Sequence, residues 1–225
     1  MTFSISGYCE RTGMVGVAIT TSSISVASRC PWVRAGVGAA ATQNVTDPSL
    51  GNIMLDGLEQ GKTPSQVMDA LVSGRDFIEY RQLALIDTKG QSASFTGDQT
   101  LGTNAVVQGN GCIAAGNILI STAVPQAMAD TFAQHSGLHL AERLLLALQA
   151  GVDAGGEEGP VHSAGLKVAH IHPWPLVDLR IDWADDAPIT QLMELWKVYE
   201  PQMMDYNSRA LDPSSAPSYG VPGDL

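Results

Sequence analysis

The chain is 225 residues long, enough for one large domain or two small ones. A chain of that size buries about 70–75% of its unfolded surface without needing disulfides or metals. Twelve Lys and Arg stand against 23 Asp and Glu, a formal charge of −11 that argues against nucleic acid or an anionic membrane as partner. Hydrophobic content of 44% against 16% charged excludes a disordered chain.

Phe3, Ile5 and Gly7 alternate with small polar residues, Glu10-Arg11-Thr12-Gly13 reads as a turn, and residues 14–19 as a second apolar strand. The chain therefore opens on a β-hairpin. After Pro31, residues 33–41 read as one strand of small residues, against which a neighbour can pack closely. Thr63-Pro64-Ser65-Gln66 carries a capping box with proline at the first helical position, and Val67, Ala70 and Leu71 follow on one face. A hairpin comes next, residues 83–86 and 93–95 flanking a turn at 87–90. Helices are expected over 122–135 and 138–150, strands near 166–171 and 177–181, and a last helix from Asp186, as N-cap, to Tyr199. Residues 205–225, rich in Pro, Ser, Gly and Asp, read as a tail after one domain over 1–204, with Tyr206, Tyr219 and Val221 resting on a surface. Strands, a helix pair, then strands and a helix fit sheet layers covered by helices, an α+β class.

The opening Met1-Thr2-Phe3-Ser4 has neither the basic nor the apolar region of a signal peptide, and no run of about 18 apolar residues occurs, so a cytoplasmic location is expected. Cys9, Cys30 and Cys112 are widely spaced and form no CxxC pair, against a zinc or disulfide framework. Cys9 and Cys30 read as buried hydrophobes; Cys112, in Gly109-Asn110-Gly111-Cys112, as more open. Gly36-Val37-Gly38 lacks the third glycine of a dinucleotide fingerprint. Gly155-Gly156-Glu157-Glu158-Gly159 carries acid where a phosphate loop needs none, and reads as a solvated turn. His170 and His172, two apart on a strand, share a face and could hold a metal with Asp178 or Asp182; the alternative is hydrogen-bonded histidines at a strand end. We expect the latter, with no metal and no cofactor. His135, His139 and His162 read as surface or capping groups.

Thr2 carries the sharpest chemical signal. A small second residue favours removal of Met1, which would leave threonine with a free α-amine of pKa about 8, able to act as base for its own hydroxyl. A great many chains begin Met-Thr without such a role, and a retained Met1 acylates the amine and ends the mechanism. Arg34 could put a cation near the first strand, lowering the amine pKa and helping an anion bind; otherwise it is a surface arginine paired with a carboxylate.

Thr2-Phe3-Ser4-Ile5, Gly36-Val37-Gly38-Ala39 with Ala41-Thr42-Gln43, Arg81-Gln82, Phe95-Thr96-Gly97, Gly116-Asn117, Ala141-Glu142-Arg143-Leu144, Gly155-Gly156, Ser163-Ala164, Asp178-Leu179-Arg180 and the ending 216–224 occur in an order that spans nearly the whole chain. In this the chain resembles domain-of-unknown-function family 1028, grouped with the N-terminal-nucleophile (Ntn) hydrolase fold. The resemblance implies a four-layer αββα sandwich with the first strand central, and amide hydrolysis with Thr2 as nucleophile. One departure stands out: after the paired glycines the family usually has Asp-Arg-Arg, and a Gln before Ser-Ala, where this chain has Glu157-Glu158-Gly159-Pro160 and His162. If that loop borders the site, an anionic substrate is disfavoured.

Two readings follow. In the first the chain hydrolyses an amide, ureide or lactam of a small molecule, with Gln43, Asn44, Asn117 and backbone N–H groups near Gly116 holding the oxyanion; strand-end capping is the alternative for Thr42, Gln43 and Asn44. In the second it binds a small metabolite without turnover, Met1 being retained. Either is compatible with a homo-oligomer.

Overall fold

Strand β1 (Thr2–Tyr8) pairs antiparallel with β2 (Val15–Thr21), as the opening alternation predicts, and on its other edge with β8 (Cys112–Asn117). β2 continues to β9 (Ser163–Ala169) and β10 (Val177–Ile181), and β8 to β7 (Ala105–Gly109), which makes β1 a central strand of a six-stranded sheet. A second antiparallel sheet orders β3 (Pro31–Arg34), β4 (Gly38–Asn44), β5 (Arg81–Asp87) and β6 (Ser92–Thr96). This is a computed structural model, and it describes residues 1–218 and 220. Tyr219, Val221 and most of the ending 216–224 that the sequence reading used lie outside or at the edge of them.

Period-two alternation gives each sheet two buried faces. Phe3 and Ile5 pack outward with Val124, Met128 and Phe132 of α3 (Ala123–Gln134) and Leu144 and Leu148 of α4 (Leu140–Asp153); α5 (Pro188–Leu211) adds Leu192 and Trp196. On the far side Leu83, Leu85 and Ala40 pack under α1 (Ser49–Glu59) and α2 (Pro64–Gly74). Between the sheets, Val15, Val17, Ile113 and Ala115 meet Ala39, Ala41, Ala84 and Ile86. Alanines on both inner faces let the two sheets approach closely. The result is the four-layer αββα sandwich that the resemblance implied.

Four details depart from the sequence reading. Residues 33–41 are not one strand: β3 and β4 form a hairpin whose turn contains Gly36 at φ +70°, a left-handed conformation that glycine adopts without strain. α1 and the β7–β8 hairpin give no clear pattern. α1 starts without a side-chain cap and contains Gly51, where a Cβ would come 2.1 Å from the Trp32 ring. The last helix starts at Pro188 with Ala187 as N-cap, not Asp186, and runs past Tyr199 and through Pro201 to Leu211. It thereby takes in the first residues of the segment read as a tail. Cys112 is fully buried rather than open, like Cys9 and Cys30.

Candidate functional site

Successive side chains of a strand face opposite ways, so with Phe3 and Ile5 against the helices, Thr2, Ser4 and Ser6 enter the gap between the sheets. Register sets Thr2 opposite Thr21 on β2 and Asn117 on β8, which gathers three polar side chains at one end of the gap. Next to them runs a chain of buried amides. Ser4 Oγ donates to Gln43 Oε1 at 2.8 Å and Gln43 Nε2 to Gln82 Oε1 at 2.7 Å. Asn117 Nδ2 donates to the same Gln82 oxygen at 3.1 Å, and Gln82 Nε2 to the Gly116 carbonyl at 3.0 Å. Amides this deep must be paired, and here their pairing ties the two sheets together. Asn117 Oδ1 is the exception, buried with no partner.

Thr2 itself is 6% exposed, and its Oγ lies 3.1 Å from Thr21 Oγ. Both hydroxyls donate to the carbonyl oxygen of Met1. The Met1 thioether end lies over Gly159, where an added Cβ would meet it at 3.5 Å. Met1 therefore closes this end of the gap with its backbone and its side chain.

Sequence reasoning missed Glu157. It is 5% exposed, not a solvated turn, and neither carboxyl oxygen has a hydrogen-bond partner. Burial pushes its pKa up to about 8, partly offset by the positive charge of the chain's amino terminus. The carboxyl is held in place by its backbone, which bridges Leu119, while Glu158 N–H donates to the Ile118 carbonyl at 3.0 Å. Ile118, directly after Asn117, is β-branched yet sits at φ +49°, a conformation that the surrounding hydrogen bonds must enforce. A cavity of about 320 Å³ opens beside Glu157, lined also by Phe3, Gly156, Gly159, Asp185 and Asp186. Two signals point to this segment, an acid among glycines, which by pattern alone is indistinguishable from a surface loop, and the departure from the family's Asp-Arg-Arg; neither indicates a buried carboxyl.

Of the residues singled out from the sequence, Thr2, Gln43 and Asn117 come together. Asn44 adjoins Gln43 but works as a cap: at φ +71° its Nδ2 donates to the Tyr80 carbonyl and its Oδ1 accepts from Leu101 N–H. Thr42 likewise bonds Thr46. Arg34 does not reach the site. It pairs with Gly38 at the opposite end of the β3–β4 ladder from Gln43, and its guanidinium is held at 2.7 Å by both Asp56 and Glu59 of α1.

The histidines are occupied elsewhere. β9 ends at Ala169, so His170 and His172 lie beyond the strand; His170 Nε2 donates to the Thr12 carbonyl at 3.0 Å and His172 stacks on Trp174. Asp178 is paired with Lys167 and Asp182 with Arg180, and among the described residues no group of three His, Cys, Asp or Glu is placed to hold a metal. His139 caps α4 by accepting from Ala141 N–H, and His162 stacks on Trp183 at 4.4 Å.

The αββα sandwich with β1 central resembles the Ntn-hydrolase fold. The chain belongs to the family of unknown function DUF1028, whose model matches residues 2–192. It is similar to a crystal structure of a member of that family from Silicibacter pomeroyi, at 33% identity over 88% of each chain with a TM-score of 0.81. Remoter likenesses are to Anbu, an ancestral β-subunit, from Yersinia bercovieri (10% identity, 90% of this chain and 96% of that one, TM-score 0.41) and to Anbu from Hyphomicrobium sp. strain MC1 (11%, 90% and 96%, 0.38). No curated protein matches the chain. Among the described residues no helix is long and apolar enough to cross a membrane.

Proposed function

We propose that the chain is a small-molecule amidohydrolase whose nucleophile is Thr2 after removal of Met1. The observation that carries this reading is the grip of Met1 on the site: its carbonyl accepts from both the Thr2 and the Thr21 hydroxyl. Removing Met1 frees both hydroxyls at once and generates an α-amine on the nucleophile itself. The Thr2 hydroxyl then attacks an amide, ureide or lactam carbonyl while its proton passes to that amine, and on to the leaving nitrogen; water hydrolyses the resulting ester. Glu157 and Asn117 Oδ1 are buried acceptors without partners, suited to hold the ammonium that forms during attack. The Asn117 amide N–H not spent on Gln82 adjoins Thr2 across the β1–β8 pair and, with backbone N–H groups nearby, is the best-placed oxyanion donor; Gln43 lies next to Ser4, and Asn44 caps Tyr80 and Leu101.

Glu157, Asp185 and Asp186 around the neighbouring cavity favour a neutral or cationic substrate, in keeping with the loss of the family's arginines. All three cysteines are unpaired, which accords with a cytoplasmic location. Leu195, Val198, Met204 and Leu211, exposed on α5, offer a surface for a homo-oligomer. Sedimentation of chains with and without residues 212–225 would tell whether the last segment contributes to it.

A second reading, a metabolite-binding protein with Met1 retained, is favoured by the same two hydrogen bonds, which fit Met1 as a permanent plug. Intact mass of untagged protein separates the two, followed by turnover of an amide, ureide and lactam panel by wild type and Thr2→Ala. Loss of one methionine together with turnover that Thr2→Ala abolishes supports hydrolysis. A chain that keeps Met1, or a Thr2→Ala variant of full activity, overturns it.

A further inference from the structure

The opposite end of β1 carries a second concavity. A cleft of about 570 Å³ is lined by Tyr8 at the end of that strand, by the turns containing Arg11, Lys89 and Gly111, and by Arg143 on α4. From Thr2 to Tyr8 is six residues at about 3.4 Å each, so the cleft lies about 20 Å from the candidate nucleophile. Arg143 is its unusual member. The residue is 7% exposed, it is stacked with its guanidinium carbon 3.5 Å from the centre of the Phe132 ring, and its Nε donates to the Phe132 carbonyl.

Beyond that one bond, the described residues provide no acceptor for Nη1 or Nη2 of Arg143, and no carboxylate is paired with it. The neighbouring Cys112 thiol supplies no charge, since burial pushes its pKa up to about 11. The guanidinium is thus held rigidly by its ring and its one bond while its terminal nitrogens, free of any acceptor among the described residues, line the cleft, a preformed fork for an anion arriving from solution. Two further cations line the same cleft. Arg11 is pinned by its Nη2 to the Gly137 carbonyl at 3.0 Å, and Lys89 is exposed and without an ion pair among the described residues. Among the described residues Glu10 is the one acid on the rim, so three cations and one anion line this cleft in a chain of net charge −11.

We propose that this cleft binds a doubly charged oxyanion, the phosphate or paired carboxylates of a small metabolite, with Arg143 as its planar two-toothed anchor and Arg11 and Lys89 closing over it. The site is separate from the Thr2 site and stands whether or not the chain is a hydrolase.

The test is titration calorimetry of the full chain with inorganic phosphate and with malonate, at constant ionic strength set by chloride. Saturable binding of either is expected, phosphate alone or malonate alone telling which group the cleft takes. Lys89→Ala and Arg11→Ala, both at exposed positions, should each weaken it about 3- to 10-fold. Arg143→Lys, which keeps the charge and loses the fork, should weaken it at least about 10-fold, and Thr2→Ala should leave it unchanged. Absence of saturable binding for both anions, or binding that none of the three cation variants alters, overturns the proposal. Should Arg143→Lys fail to fold, the two exposed variants still decide.

Discussion

Replacing Glu157 by glutamine makes the most direct probe of the buried carboxyl. Its pKa is pushed up to about 8 from an ordinary 4.5, so between those values the folded chain holds a proton that the unfolded chain has released. Below about pH 4.5 the group leaves stability untouched; as pH rises through the window stability falls, and above about 8 the whole cost is borne. At 1.36 kcal/mol per pH unit of pKa difference that cost is up to about 5 kcal/mol, of which about 4 kcal/mol accrues between pH 5 and pH 9. Glutamine is neutral throughout, and whatever its own amide costs is the same at both pH values. Urea denaturation of wild type and Glu157→Gln at pH 5 and pH 9 isolates the carboxyl together with the amino terminus that it interacts with, because the titrations of groups not coupled to it cancel in the difference. The variant should gain about 4 kcal/mol relative to wild type on going from pH 5 to pH 9. An equal difference at the two pH values would mean that the carboxyl is solvated, and would remove it as a candidate partner for the Thr2 amine.

Gln82→Leu leaves Gln43 Nε2 and Asn117 Nδ2 without their shared acceptor inside the gap, and should cost about 2–4 kcal/mol in chemical denaturation; a cost below about 1 kcal/mol would mean that the amide chain does not tie the sheets together. Arg34→Ala removes two ion pairs to well-exposed carboxylates and should change stability by no more than about 1 kcal/mol, with any effect fading as salt is raised. On an identified substrate the same variant should leave kcat/KM within about two-fold of wild type, since Arg34 lies remote from Thr2; a larger loss would return it to the site.

The parts of the fold that were legible in the sequence are those where one local rule decides. Alternation over residues 3–7 gives β1 because both faces of that strand are buried by different layers, and Thr63 with Gln66 gives the start of α2 because the capping box satisfies itself. α1 was hidden because it depends on tertiary contact: its Gly51 is there to admit the Trp32 ring, and glycine reads locally as a helix breaker. The same distinction governs the site. Thr2 can be read from its position in the chain, and Asn117 followed from a resemblance. Gln82 stood in the same resemblance without a role, and its role, like the burial of Glu157, emerges only when β5 and the segment after α4 are folded against β1 and β8. Their neighbours in sequence are of no help, since a glutamine on an apolar strand and a glutamate among glycines each occur far more often as surface groups. What distinguishes them is burial without solvent and, for Glu157, burial without a partner, a cost that local sequence does not explain. Such uncompensated groups are where a fold departs from the arrangement that stability alone would choose. In this chain one lies at the Thr2 end of the first strand, the Glu157 carboxyl, while at the Tyr8 end the Arg143 guanidinium spends one bond on Phe132 and turns the rest of its donors to a cleft. A carboxyl that burial keeps protonated and a cationic fork call for different molecules, so the two sites can be tested, and can fail, independently.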